Sequence, residues 1–237
     1  MRDEIYKDET DISKFTFNQK VVDVFDDMVL RSVPGYKQMI ELIGLAGRTY
    51  PIKNSNIYDL GCSTGAATLS IASNLRLESV KIFSIDNSQE MLDQCSKNLS
   101  SIEANIQYIC DDINHIHFEN ASLIVLNLTL QFISPEKRLD LIKRIYDSLL
   151  PEGALIISEK IIHENEEINK SLVSLHESFK KENGYSDTEI AQKRRAIEDV
   201  LIPESINQHL ERFQKVGFQR SLVQMQCLNF ASFISIK

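Results

Sequence analysis

Apolar positions first recur at helical spacing. Phe17, Val21, Val24, Phe25, Met28 and Val29 share one face of the stretch from 17 to 30, which predicts a single amphipathic helix. RSVPGY breaks it, and Pro34 opens a second helical pattern, GYKQMIELIGLAGR. The pattern then changes to short apolar runs alternating with helical segments. NIYDL reads as a strand and AATLSIASNL as a helix. VKIFSID is a second strand, followed by the helix SQEMLDQCSKNLS with Ser88 as its N-cap. ANIQYIC is a third strand. ASLIVLNL, nearly all apolar, has the character of a central parallel strand covered on both faces. SPEKRLDLIKRIYDSLL is a helix with proline in its first turn, and PEGALIISEK a turn running into a fifth strand. This rhythm predicts an α/β fold with a doubly wound parallel sheet.

Regular alternation stops after Lys160. Residues 164–213 read as largely helical and polar, and Gly217 ends the last helix. GFQRSLVQMQ and LNFASFISIK then form a pair of strands at the sheet edge. The expectation is one domain over 1–237, with an N-terminal helical cover at 15–49 and a helical insertion at 164–213 serving as lid or subunit interface.

Charge and composition narrow the classes. The net charge of −8 argues against broad contact with a nucleic-acid backbone. No apolar run reaches the ~18 residues of a membrane span, and MRDEIYKDETDI lacks the apolar core of a secretory signal. A cytoplasmic, membrane-free protein is expected. Cys62, Cys95, Cys110 and Cys227 form no CxxC pair and the histidines are scattered, so no metal site is expected and the thiols read as reduced and mostly buried.

The candidate chemistry begins at YDLGCSTGAATLS, where an apolar run meets an acid and then a glycine turn opening a helix. Gly61 lets a ligand approach the backbone, and the N–H groups of the turn are donors for its polar atoms. The turn is neither GxGxxG nor a Walker A loop, which weakens a diphosphate reading. Asp86, ending the second strand, suits ribose hydroxyls, with Asn87 beside it. Asp112 suits an adenine amine, and Asn127 ends the fourth strand facing the crevice. An adenosyl sulfonium compound fits these strand ends better than a dinucleotide does. Methyl transfer is the simplest chemistry for it, yet NLTL stands where a base methyltransferase would carry an NPPY-type tetrapeptide.

The blocks TFNQKVVDVFDDMVLRSVPGY, YDLGCSTGAATLS, SIDNS, FENASLIVLNLTLQF, LIISEK and HESFKKENGYSDTEIAQKR resemble the carboxy-S-adenosyl-L-methionine synthases, from about residue 14 to the C-terminus. The resemblance implies a class I methyltransferase-like fold that does not methylate. It implies conversion of S-adenosyl-L-methionine and prephenate to carboxy-S-adenosyl-L-methionine and phenylpyruvate, in a homodimer. The product would pass to a separate tRNA carboxymethyltransferase acting at the wobble uridine. By the same resemblance Tyr36 closes over the sulfonium and Gly61, Cys62 and Ser63 form the nest. Asp86 and Asn87 take the ribose, Asp112 and Ile113 frame adenine, and Asn127 lies near the amino-acid moiety. Arg194 holds the new carboxylate, which a guanidinium can pair bidentately.

Blander readings stand beside these. KRR at 193–195 is otherwise a solvated helix face, Tyr36 a packing residue, and Arg31 either a helix cap or a substrate-carboxylate ligand. Tyr185 lines the pocket or anchors the insertion. His176 reads as packing, and His115 and His117 have no partner arrangement. CDDI departs from the family's usual glycine–aspartate pair at Asp111 and puts the loop path at adenine in question. A conventional methyltransferase and a non-catalytic sulfonium-binding accessory protein are the competing functions.

Overall fold

The computed structural model describes residues 1–7 and 16–237. Seven strands form one sheet in the order β3-β2-β1-β4-β5-β7-β6. They are β1 (Asn56–Leu60), β2 (Lys81–Asp86), β3 (Ile106–Cys110), β4 (Ala121–Asn127), β5 (Leu149–Lys160), β6 (Arg220–Cys227) and β7 (Phe230–Ile236). The first five are parallel, and β7 runs antiparallel between β5 and β6. Strand order reverses between β1 and β4, where an open α/β sheet makes its crevice.

The helices are α1 (Gln19–Val22), α2 (Phe25–Ser32), α3 (Tyr36–Thr49), α4 (Ala66–Asn74), α5 (Gln89–Asn98), α6 (Pro135–Ser148), α7 (Glu166–Glu182), α8 (Asp187–Ile197) and α9 (Ile206–Val216). β4 explains its own composition. Leu123 and Val125 pack under α3 and α4 with Ile43 and Ile71, whereas Ile124 and Leu126 pack on the opposite face with Leu141 and Ile145 of α6 and Phe213 of α9. A strand covered on both faces has no solvent side to make polar.

Three boundaries differ from the pattern. The predicted helix over 17–30 is two helices, because Val24 (φ −121°, ψ 3°) interrupts it; Asn18 caps the first and the second runs on to Ser32. α3 opens at Tyr36 rather than Pro34: Val33 is extended, as a residue before proline prefers, and Gly35 turns the chain at φ 81°. α6 stops at Ser148, because Leu149 already pairs with Ala121. The helical stretch after Lys160 divides. α9 packs against α6 and β6, whereas α7 contacts α2 and α8. Ser186 and Glu189 form a capping box that starts α8.

Candidate active site

One cavity of about 190 Å³ lies over the carboxyl ends of β1, β4 and β5. Its floor carries Asp59, the glycine turn from Gly61 to Thr64, and Asn127. α2 and Tyr36 form one wall, and α7 and α8 form the roof with His176, Glu177, Lys180, Lys193 and Arg194.

Gly61 has φ 74°, and a Cβ there would lie 2.5 Å from the Thr129 side chain, so glycine is required by both backbone and space. The turn is not a free donor nest, however. Gly61 and Cys62 N–H both donate to the Ile85 carbonyl, at 2.8 and 2.9 Å, and Ser63 N–H donates to Asp86 Oδ2 at 2.9 Å. The expectation that these three N–H groups receive the ligand is therefore corrected. They bind β1 to β2, and what the turn offers is close approach. Hydrogen bonding to Cys95 and burial push the Cys62 thiol well up, so it stays neutral.

The floor's open capacity is in its acceptors. Asp59 is 1% exposed. Its Oδ2 accepts from Thr68 Oγ1 at 2.6 Å, and its Oδ1 is buried with no partner among the described residues. Burial pushes this carboxyl up to about 6. Asn127 Oδ1 is a second buried acceptor without a partner among the described residues. A buried acceptor left alone is costly, and both residues belong to the cavity lining. Thr64 Oγ1 donates to Asp26 Oδ1 at 2.8 Å and ties α2 to the turn. Burial, then the charges of Asp26 and Asp59, push the Tyr36 phenol upward, which keeps it protonated.

Asp86, Asn87, Asp112 and Ile113, at and just beyond the ends of β2 and β3, do not line this cavity; Asp86 alone is tied to its lining, through Ser63. Asp86 is held rigidly: Oδ2 takes Ser63 N–H and Oδ1 takes Ser88 N–H at 3.0 Å, leaving each oxygen a further lone pair. Asp112 Oδ1 accepts from the backbone N–H and side-chain amide of Asn114, at 2.8 and 2.7 Å. Asn87 is exposed and Ile113 buried. From the end of β3 to Asn127 at the end of β4 is three strand spacings, roughly 14 Å.

Two other candidates are placed differently. Arg31 does not reach the cavity. Its Nε donates to the Asn183 carbonyl at 2.7 Å and its NH1 to the Asp3 carbonyl at 3.1 Å and Asp27 Oδ2 at 3.0 Å, while its guanidinium covers the Tyr185 ring at 4.0 Å. It ties α2 to the α7–α8 turn. The Tyr185 hydroxyl donates to Asp3 Oδ2 and is likewise outside the cavity lining. His176 is buried packing, as its spacing predicts: Nε2–H donates to the Ser32 carbonyl at 2.7 Å, and burial, then the Lys180 charge, push its pKa down to about 3. His115, itself exposed, lies 3.2 Å from exposed Asp111.

Arg194 does open on the cavity, where it pairs with Glu177. Reading the chain alone passed over Lys160, Lys180, Glu177 and Asn229 of the same lining, and gave Asp59 no role. Asp59 had a signal, a charge near the end of a largely apolar strand, whereas Lys160 follows Ser158 and Glu159 and does not stand out. Among the described residues no group of three or more His, Cys, Asp and Glu is placed to hold a metal ion, and no helix is long and apolar enough to cross a membrane.

A family model for a methyltransferase domain matches residues 57–153. The carboxy-S-adenosyl-L-methionine synthase of Ruthia magnifica subsp. Calyptogena magnifica is 49% identical over 237 residues, covering 100% of both chains. The protein of the same description from Pasteurella multocida is 46% identical over 228 residues, 95% of each. The chain belongs to the carboxy-S-adenosyl-L-methionine synthase family. It is an enzyme of the S-adenosyl-L-methionine-dependent transferase class. Human N-acetylserotonin methyltransferase, solved in complex with S-adenosylmethionine, superposes with a TM-score of 0.63 at 16% identity, covering 92% of this chain and 55% of that one. That likeness establishes the class I methyltransferase fold for this chain.

Proposed function

We propose that the chain carboxylates S-adenosyl-L-methionine with prephenate as donor, releasing phenylpyruvate, and supplies the product for carboxymethylation of wobble uridine in tRNA. The observation that carries this reading is the presence of Arg194 in the same cavity as the orphan acceptors Asp59 and Asn127, in a chain whose near-full-length relatives bear the synthase description. The acceptors suit the ammonium of the methionine moiety, and Arg194, released from Glu177, suits a carboxylate on the sulfonium carbon.

The chemistry balances without a protein base. Prephenate loses its ring carboxylate as CO2 and expels its ring hydroxyl as it aromatises. That hydroxide takes a proton from the sulfonium methyl and leaves as water, and the resulting ylide carbon attacks CO2. The residues' task is to hold the two substrates aligned and keep CO2 from water. Lining by Phe25, Val29 and Phe132 serves the second purpose. Asp86, Asn87, Asp112 and Ile113 hold the nucleoside, and Tyr36 covers the sulfonium. A homodimer that hands its product to a tRNA carboxymethyltransferase completes the reading.

The test is incubation with S-adenosyl-L-methionine, with and without prephenate, followed by mass spectrometry. A prephenate-dependent sulfonium heavier by one CO2, with stoichiometric phenylpyruvate, is the expected result. Methylated product, or no dependence on prephenate, overturns the proposal.

A further inference from the structure

Four cations converge on the cavity roof: Lys160 from the end of β5, Lys180 from α7, and Lys193 and Arg194 from α8. Two have counterions. Arg194 pairs with Glu177, and Lys193 Nζ lies 3.1 Å from Ser32 Oγ and 3.8 Å from Asp3 Oδ2. Among the described residues, neither the Lys160 nor the Lys180 ammonium forms an ion pair or a hydrogen bond. Both are partly buried, close enough to repel each other, and part of the cavity lining. Burial lowers Lys160, helped by the charge of Arg194, and lowers Lys180 to about 8, helped by Lys160. Two neighbouring uncompensated ammonium groups in a part-enclosed site are unfavourable unless an anion completes them.

We propose that Lys160 and Lys180 are the donor-specificity residues: together they hold the carboxylate that the carboxyl donor retains, and so select a dicarboxylate over a monocarboxylate. This rests on the reading above that the donor gives up one carboxylate as CO2. The assignment to the retained group follows from the chemistry. Losing CO2 disperses the negative charge of the departing carboxylate, so a cation paired with it would stabilise the ground state more than the transition state and slow the reaction. The retained carboxylate keeps its charge throughout and can be clamped at no such cost. The departing one belongs against the apolar wall of Phe25, Val29 and Phe132, where a carboxylate is destabilised.

The experiment uses Lys160→Met, Lys180→Met, the double variant and both Lys→Arg controls. For wild type with S-adenosyl-L-methionine bound, calorimetry should show phenylsuccinate binding at least about 10-fold tighter than 3-phenylpropanoate. The Met variants should lose that preference and raise KM for prephenate about 10-fold each, with S-adenosyl-L-methionine affinity within about 3-fold. The Arg variants should restore the preference. Melting temperature should hold or rise in the Met variants, because a buried charge is removed. Lys180 faces Lys160 from β5, His176 on its own helix and Lys193 from α8. Dianion binding at pH 8.5 should therefore take up protons, and lose that uptake in Lys180→Met. An unchanged preference and unchanged KM in the Met variants overturns the proposal. Wild type that prefers the dianion yet makes no heavier sulfonium overturns the reaction assignment and leaves the anion site standing.

Discussion

The floor and the roof of the cavity are opposites. The floor presents oxygen acceptors without a donor among the described residues: Asp59 Oδ1 and Asn127 Oδ1. The roof presents cations, of which Lys160 and Lys180 have no anion among the described residues. In each half a polar group is held at an energetic cost that only a ligand removes, and the two halves ask for ligand groups of opposite sign. An adenosyl sulfonium compound brings an ammonium group to the floor, and a carboxylate donor brings its charge to the roof. The halves also differ in origin. The floor sits on strand ends that the sheet makes rigid, whereas the roof, apart from Lys160 at the end of β5, sits on α7 and α8, which pack on each other with α7 against α2.

The sharpest attack on this contrast is Asp59→Asn, which keeps an acceptor for Thr68 and removes the floor's charge. Binding of S-adenosyl-L-methionine should fall about 100-fold, the loss expected when a buried charged hydrogen bond is replaced by a neutral one. The ligand-free protein should move the other way. The Asp59 carboxyl sits at about 6, above its ordinary value of 3.8, so its contribution to stability is full below about 4 and lost as pH rises through 6. At pH 8 wild type carries the whole penalty and the variant none, a gain of about 1–3 kcal/mol. Denaturation at pH 8 and at pH 4 should show the gain at the first and little at the second. Lower stability at pH 8 with unchanged affinity would mean the floor acid is structural.

How much of each half the sequence discloses follows the same division. β1, β4 and the glycine turn are local patterns, and Gly61, Asp86 and Asn127 can be placed at strand ends from spacing alone. That the turn's N–H groups are already used cannot be read there, because their partner, the Ile85 carbonyl, is supplied by the register between β1 and β2. The roof is much less legible. Along α7 polar and charged residues occupy most positions, and only His176 is buried. Nothing in ENEEINKSLVSLHESFKKE distinguishes Lys180, which faces the cavity, from Lys181, which pairs with Asp187 outside it. Arg194 was legible only through resemblance. Arg31, the first residue of RSVPGY, attracted a substrate role that its bonds to Asn183, Asp3 and Asp27 leave no room for.

Arg194→Lys sharpens the roof. A lysine keeps the charge but cannot form the bidentate pair, so affinity for the carboxylated product should fall about 10-fold, with S-adenosyl-L-methionine within about 2-fold. Calorimetry with both ligands measures the split. Equal loss for both would make Arg194 a general support of the helical roof, and the floor–roof distinction would fail at that residue.

The smallest effect is expected at His176, the roof's imidazole. It is held neutral: burial and the nearby Lys180 charge put its pKa at about 3, and only the Ser32 carbonyl pulls the other way. Its folded value lies below the ordinary 6.5, so its contribution to stability is present above that pH and lost as pH falls toward 3. Between pH 5 and 8 the bound imidazole does not titrate and can neither give nor take a proton in turnover. His176→Phe should therefore cost about 1 kcal/mol through the lost hydrogen bond to Ser32, ease the stability loss at acid pH, and leave the shape of the pH–rate profile between 5 and 8 unchanged. An inflection near 6.5 that disappears in the variant would give the roof a proton-transfer role, and its cations would then tune a base as well as bind an anion.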